Sequence, residues 1–260
     1  MPATLPLYTV LPFVAMLLAI ALFPRWLPHW WESNRSKLAV AALLGAPVLV
    51  LYLIREPAAL AHAAGDYVSF IILLAGLYVI AGGVLLTGDL EATPLVNTAF
   101  LATGSLLASL VGTTGASMLL IRPLLQTNRE RARVTHTVVF FIFLVSNIGG
   151  MLTPLGDPPL FLGYLQGVPF AWTLRLWTPW LTMTISLLLL YYVWDTRHHA
   201  HETRAALLRD HTQIEPLRIR GALNGLWLAG VVAAVAFLHA PLRELTILAL
   251  AGISLRRTPK

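Results

Sequence analysis

Residues 146–159 read Ser-Asn-Ile-Gly-Gly-Met-Leu-Thr-Pro-Leu-Gly-Asp-Pro-Pro, and they stand where a membrane helix should continue. The twelve residues before them, 134–145, form an apolar helical run. Gly149, Gly150, Pro154, Gly156, Pro158 and Pro159 then fall within eleven residues. Helix breakers at that density end an α-helix. The apolar pattern nevertheless resumes at Leu160, Phe161 and Leu162, and Asp157 lies inside the break with Ser146, Asn147 and Thr153. Irregular backbone at membrane depth persists only where protein or enclosed water satisfies its N–H and C=O groups. A carboxylate at that depth is a functional candidate by default. The stretch therefore implies a binding site of the kind a secondary transporter uses.

That reading requires a membrane protein, and the composition supplies one. Hydrophobic residues make up 57% of the 260, only 12% are charged, and the mean hydropathy is +0.74. Soluble domains carry about 25% charged residues. The net charge of +6 points to loops on the cytoplasmic side rather than to nucleic acid. The chain has no cysteine, which excludes disulfides and thiolate metal sites. No Lys or Arg precedes the first apolar run, so a cleavable signal peptide is not expected.

Taken in order, the apolar runs are 7–23, 38–54, 68–87, 95–126, 134–166, 172–194, 221–237 and a short 245–255. They predict an all-α polytopic membrane protein, a helix bundle. The expected organisation is a first helix and cytoplasmic loop (1–37), a first repeat (38–194), a cytoplasmic loop (195–220) and the start of a second repeat (221–260). Trp172, Trp177 and Trp180 at one end of the 172–194 run, with Tyr191, Tyr192 and Trp194 at the other, form aromatic belts.

The 95–126 run is too long for one straight span and too short for two, since a span needs about 20 residues. Gly112-Thr113-Thr114-Gly115 interrupts it. If it is a re-entrant hairpin, 15 of the 18 Lys and Arg residues share one side, including Arg209 and Lys260, and only Arg55, Arg175 and Arg243 face the other. If it crosses once, the split becomes 13 to 5 and the 25–37 loop falls on the sparser side. The positive-inside rule favours the hairpin, with its mouth and the C-terminus in the cytoplasm and the N-terminus outside. At 1.5 Å per residue, the hairpin tip and the break in 134–166 both reach the middle of a hydrocarbon layer about 30 Å thick. Two interrupted elements at the midplane are the architecture of a transporter site.

At such a site Thr113, Thr114 and Ser117 offer hydroxyls, and Gly112 and Gly115 allow a tight turn and close approach. Asn147, Thr153 and freed carbonyls are hard oxygen ligands suited to Na⁺. Helix N-termini near Ala116 and Pro159 carry partial positive charge that suits an anion. Asp157 is placed to bind Na⁺ or a proton. No bound cofactor beyond Na⁺ or H⁺ as coupling ion, and no other metal, is implied. Small-residue helix packing is the competing account of Gly112 and Gly115. His136 is a candidate proton relay, with a hydrogen-bonded interface histidine as the simpler account. His198, His199, His201, Asp195 and Glu202 are expected in a solvated loop, and Asp89 and Glu91 in a cap or loop. Arg122 is expected to snorkel, and 128–133 to be a positive-inside loop. Ser105 or Ser117 with His136 makes no protease motif, so an enzyme is not expected.

The segments 146–150, Thr153 and 156–159, taken with 112–117, resemble the signature of the ion transporter superfamily. That superfamily includes arsenite-pump membrane subunits, Na⁺/H⁺ antiporters and citrate and dicarboxylate carriers. The resemblance is closest to a bacterial branch assigned to Na⁺/H⁺ antiport or citrate transport, and covers residues 40–255. It implies two inverted repeats, each with a re-entrant hairpin and a broken helix, an elevator movement, a homodimer and a bacterial inner membrane. By position it assigns Gly112–Ser117 and Ser146, Asn147, Thr153 and Asp157 to the site. The tip carries Thr113-Thr114 where many antiporters have an acidic residue or Asn, and Leu160 stands where an Asn often follows. Only one hairpin and one broken helix are present, so a truncated chain holding half a site is expected. Na⁺/H⁺ antiport is the leading expectation. A carboxylate carrier and a non-transporting half that needs a second half are the alternatives.

The absence of native cysteine makes the hairpin directly testable. Single cysteines replacing Glu91 and Arg129 flank it, and both are expected to react with a membrane-impermeant maleimide from the same side. Labelling from opposite sides would make 95–126 a crossing.

Overall fold

The computed structural model describes residues 7–204 and 218–258, so Arg209, Lys260 and half of the expected 195–220 loop lie outside the described residues. Among the described residues, six helices are long and apolar enough to cross a membrane: Tyr8–Trp26, Asn34–Arg55, Pro57–Gly82, Pro94–Val111, Thr135–Leu152 and Phe170–His199. The chain is an all-α polytopic membrane protein. Two strands of three residues are its only other regular structure among those residues, β1 (Leu85–Thr87) pairing antiparallel with β2 (Arg218–Arg220).

The chain divides into two compact units, Met1–Tyr67 and Val68–Lys260. In the first, α1 (Leu11–Trp26), α2 (Pro28–Glu32) and α3 (Asn34–Arg55) pack in succession. Phe23 meets Trp30 and Trp31 edge-on, with ring centroids 6.0 and 5.4 Å apart. Ser33 Oγ caps α3 by accepting from Arg35 N.

The next helix, α4 (Pro57–Gly82), starts eleven residues before the expected 68. Hydropathy missed that first part because it contains His62, Gly65 and Asp66. Its alanines favour helix on propensity alone, and His62 and Asp66 form an i,i+4 pair at 3.7 Å.

In the second unit, α5 (Pro94–Val111) and α6 (Thr113–Thr127) form an antiparallel helical hairpin. Thr93 caps α5 through a bond from Val96 N, so neither Asp89 nor Glu91 is needed there. Gly112 makes the turn at φ +81°, where a side chain is strained. The two ends come back together. Asn97 and Asn128 exchange a pair of side-chain hydrogen bonds at 2.8 and 2.9 Å.

The broken element follows as expected. α7 (Thr135–Leu144) is followed by a 3₁₀ turn, Ile148–Leu152, and then by a turn at 154–156, closed by Gly156 N donating to Thr153 O at 3.0 Å, that leads to α8 (Pro158–Leu165). The unwinding is visible in single bonds. Both Val145 N and Ser146 N donate to Phe141 O, which leaves Ile142 O free, and Asn147 Nδ2 takes it at 2.8 Å. α9 (Trp177–His199) continues five residues past Trp194. α10 (Leu223–Phe237) and α11 (Leu242–Arg257) pack on each other, and Ser254 donates to Asn224 at 2.7 Å. α11 exceeds the apolar run 245–255 because Arg243 and Glu244 extend it as a buried pair.

Gly150 and Gly156 let the broken segment fold onto itself. A Cβ on Gly156 would collide with the Gly150 carbonyl, and one on Gly150 would sit 2.6 Å from Gly156 O. Gly156→Ala is therefore expected to destabilise the fold by about 1–3 kcal/mol. Gly163→Ala, whose new Cβ meets nothing closer than 3.9 Å, should be tolerated. Thermal melts in detergent distinguish the two; equal melting temperatures would contradict this packing.

Candidate functional site

The hairpin tip and the break meet. Thr113 N, at the start of α6, donates to Gly156 O at 3.0 Å. Ser117 and Ser146 hydroxyls lie 2.8 Å apart. Ser109, one turn before the tip, binds the break at three points. Its hydroxyl donates to Gly149 O and accepts from Leu152 N, and its carbonyl accepts from the Thr153 hydroxyl. Part of the irregular backbone thus obtains its partners from the hairpin.

A cavity of about 320 Å³ opens at this junction, within the lower range of small-molecule pockets, about 300–1,000 Å³. Gly112, Thr113, Thr114 and Gly115 line one side, Leu155, Gly156 and Pro158 a second, and Leu74, Leu77 and Tyr78 of α4 a third. The positive end of the α6 dipole faces it through the first helical turn, and α8 begins beside it at Pro158. No Lys or Arg lines it. Asp157 sits between the lining residues Gly156 and Pro158 and is half-buried. Its backbone carbonyl accepts from Leu160 and Phe161, but no described residue bonds or pairs with its carboxylate.

The structure therefore gathers Gly112, Thr113, Thr114, Gly115, Thr153 and Asp157 at one junction, with Ser117 and Ser146 joined nearby. It sets two expected residues apart. Asn147 is exposed and bonds Ile142 O at the break. His136 belongs to a cluster at the other end of the hairpin.

That cluster corrects the solvated-loop reading of Asp195, while residues 128–133 form the expected loop with Arg131 buried. Asp195 lies in α9 with no exposed surface and accepts from Arg131 Nη1 at 2.8 Å and from His136 Nε2 at 2.7 Å. Asn97 Nδ2 approaches it at 3.5 Å. Arg131 also reaches Glu202 at 3.9 Å, and Glu202 accepts from Ala132 N. Arg129 pairs with Asp89 and Glu130. The signal for Asp195 was periodic. Trp180, Thr184, Tyr191 and Asp195 are the buried residues of α9, spaced along one helical face. Asn97, Ser105 and Ser109 follow a similar buried stripe on α5.

With the fold and junction in view, a match to known proteins bears on function. A family model described as "Putative citrate transport" matches residues 2–258. The chain belongs to that family. It is a membrane transport protein, and the junction of hairpin tip and broken helix is the transporter's candidate site. No curated protein and no solved structure matches the chain.

The Asp195 cluster holds hairpin base, α7 and α9 together, so losing one member leaves a buried charge uncompensated. Arg131→Met is expected to cost the transporter about 3–5 kcal/mol, and Arg131→Met with Asp195→Leu to recover most of that. Detergent unfolding curves read both. A double variant no better than the single would show that the ion pair is not the source of the loss.

Proposed function

We propose that this protein is an ion-coupled secondary carrier of citrate or a related carboxylate, with its cargo in the cavity at the hairpin tip. The observation that carries the reading is the junction itself. The N-terminal ends of α6 and α8 meet at one cavity beside a carboxylate that has no partner among the described residues. Helix N-termini stabilise anions without a basic side chain, and the family description names citrate.

Asp157 supplies the coupling in this reading. A bare carboxylate about 4 Å from a carboxylate cargo would oppose binding by about 4 kcal/mol at an effective dielectric of 20. A Na⁺ or proton on Asp157 removes that penalty, so cation and cargo load together. Thr113, Thr114 and Ser117 hydroxyls turn toward cargo or cation. Thr153, whose proton is engaged by Ser109, keeps oxygen lone pairs for a cation. Asn147 joins only if the segment rearranges. The hairpin re-enters the membrane with its mouth in the cytoplasm of a bacterial inner membrane, the N-terminus outside and the C-terminus inside. A second copy of the chain completes the carrier.

One observation favours a second reading. The Asp157 carboxylate, which has no partner among the described residues, also suits Na⁺/H⁺ antiport without an organic cargo. Uptake of labelled citrate by the full chain in proteoliposomes decides between them. The carboxylate reading expects citrate accumulation driven by a Na⁺ or proton gradient. Asp157→Asn should reduce it roughly tenfold or more, corresponding to about 1.4 kcal/mol. A sodium-driven pH change that needs no citrate would replace this reading with antiport. Undiminished uptake by the Asn variant would remove Asp157 from the coupling.

A further inference from the structure

A groove of about 570 Å³ runs between α7 and α9, on the opposite end of the second unit's hairpin from the cavity above. We propose that it is a binding site for one anionic glycerophospholipid, with the phosphate at Arg133 and His198 and an acyl chain along the apolar floor.

The groove has the polarity of a single lipid. On α7 the wall is Val139, Phe140 and Phe143, and on α9 it is Leu187 and Leu190. The two helices run antiparallel. His136 meets Asp195, Thr137 meets Tyr191 at 3.1 Å, and the Phe140 ring lies between Tyr191 and Trp194. Polar residues therefore collect at one end, and the apolar wall runs away from them. From His198 to Leu187 the α9 wall spans about 16 Å at 1.5 Å per residue, close to half of a hydrocarbon layer of about 30 Å. That is the depth of one leaflet.

The charge at the mouth selects the headgroup. Of the three arginines in 128–133, two are paired with acidic side chains of the protein itself. Arg129 pairs with Asp89 and Glu130, and Arg131 with Asp195 and Glu202. Arg133 is exposed and has no ion-pair partner among the described residues. It stands at the groove mouth with His198. His198 is held in place, because Trp194 Nε1 donates to its Nε2 at 2.8 Å and its ring packs on His136 with centroids 4.7 Å apart. Accepting at Nε2 leaves the proton on Nδ1, a donor for phosphate oxygen. Basic pockets between membrane helices recognise anionic headgroups in this way.

Native mass spectrometry of the full chain, purified with equal amounts of phosphatidylglycerol and phosphatidylcholine, tests the site. The wild type is expected to retain one phosphatidylglycerol in preference to phosphatidylcholine. Arg133→Gln should reduce that preference roughly five-fold, the weight of one surface arginine. Leu190→Trp, which fills the floor and keeps the charge, should lose the bound lipid. Arg220→Gln, on exposed β2, should change nothing. Each variant is compared at equal monodispersity, so that misfolding is not read as lost binding. Equal retention of both lipids, or a preference that survives Arg133→Gln, would overturn the proposal. Displacement by millimolar glycerol phosphate would overturn it too, since it would mark a soluble-anion site.

Discussion

A broken helix in hydrocarbon must find partners for every carbonyl and N–H that the break releases, and in this protein the helical hairpin and the break itself share that task. Ser109 alone serves Gly149, Leu152 and Thr153, and Thr113 N serves Gly156. Asn147 covers Ile142 O from within the break, and Thr173 covers Leu152 O at 3.1 Å. Hairpin and break therefore form one packed body. The cavity is the space left where two helices start side by side. Glycine at 112, 150 and 156 permits the close approach, and the Asp157 carboxylate, without a partner among the described residues, is what remains after the backbone has been satisfied.

The two ends of the hairpin are stabilised by different means. At the tip the contacts are backbone-centred and local, and a ligand-sized space remains. At the base Asp195, Arg131, His136, Asn97 and Asn128 form a buried polar network that ties α5, α7 and α9 together. Such a network is costly to break and leaves little freedom. The fold thus gives a rigid base to a tip that borders the cavity. The groove between α7 and α9 lies beside that base, where a bound lipid would bear on the same helices.

Much of the fold was legible because its strongest signals were local. Six Gly and Pro residues in 149–159 announced the break, and Gly112 to Gly115 announced the hairpin turn. The meeting of the two interruptions was expected from chain length, which puts each about halfway along its run. What was not legible depended on tertiary context. Asp195 follows the last tryptophan of an apolar run and reads as a solvated residue, until Arg131 and His136 arrive from elsewhere in the chain. The first turns of α4 carry His62 and Asp66, which lower hydropathy without lowering helix propensity. Asn147 looked like a ligand by its position, yet its amide is used to repair the helix it interrupts. Ser109 carried no motif, and only the stripe it shares with Asn97 and Ser105 marked it.

The central claim is that hairpin tip and broken helix enclose one carboxylate site, and occupancy can be read without transport. The chain has no native cysteine, so Thr114→Cys places a single thiol in the cavity wall. Its alkylation rate, measured with and without citrate at fixed Na⁺ and pH, is expected to fall when citrate is present. A cysteine at Arg220, outside the cavity, should react at an unchanged rate. Unaltered alkylation at position 114 under citrate concentrations that support uptake would contradict a cargo site at the hairpin tip.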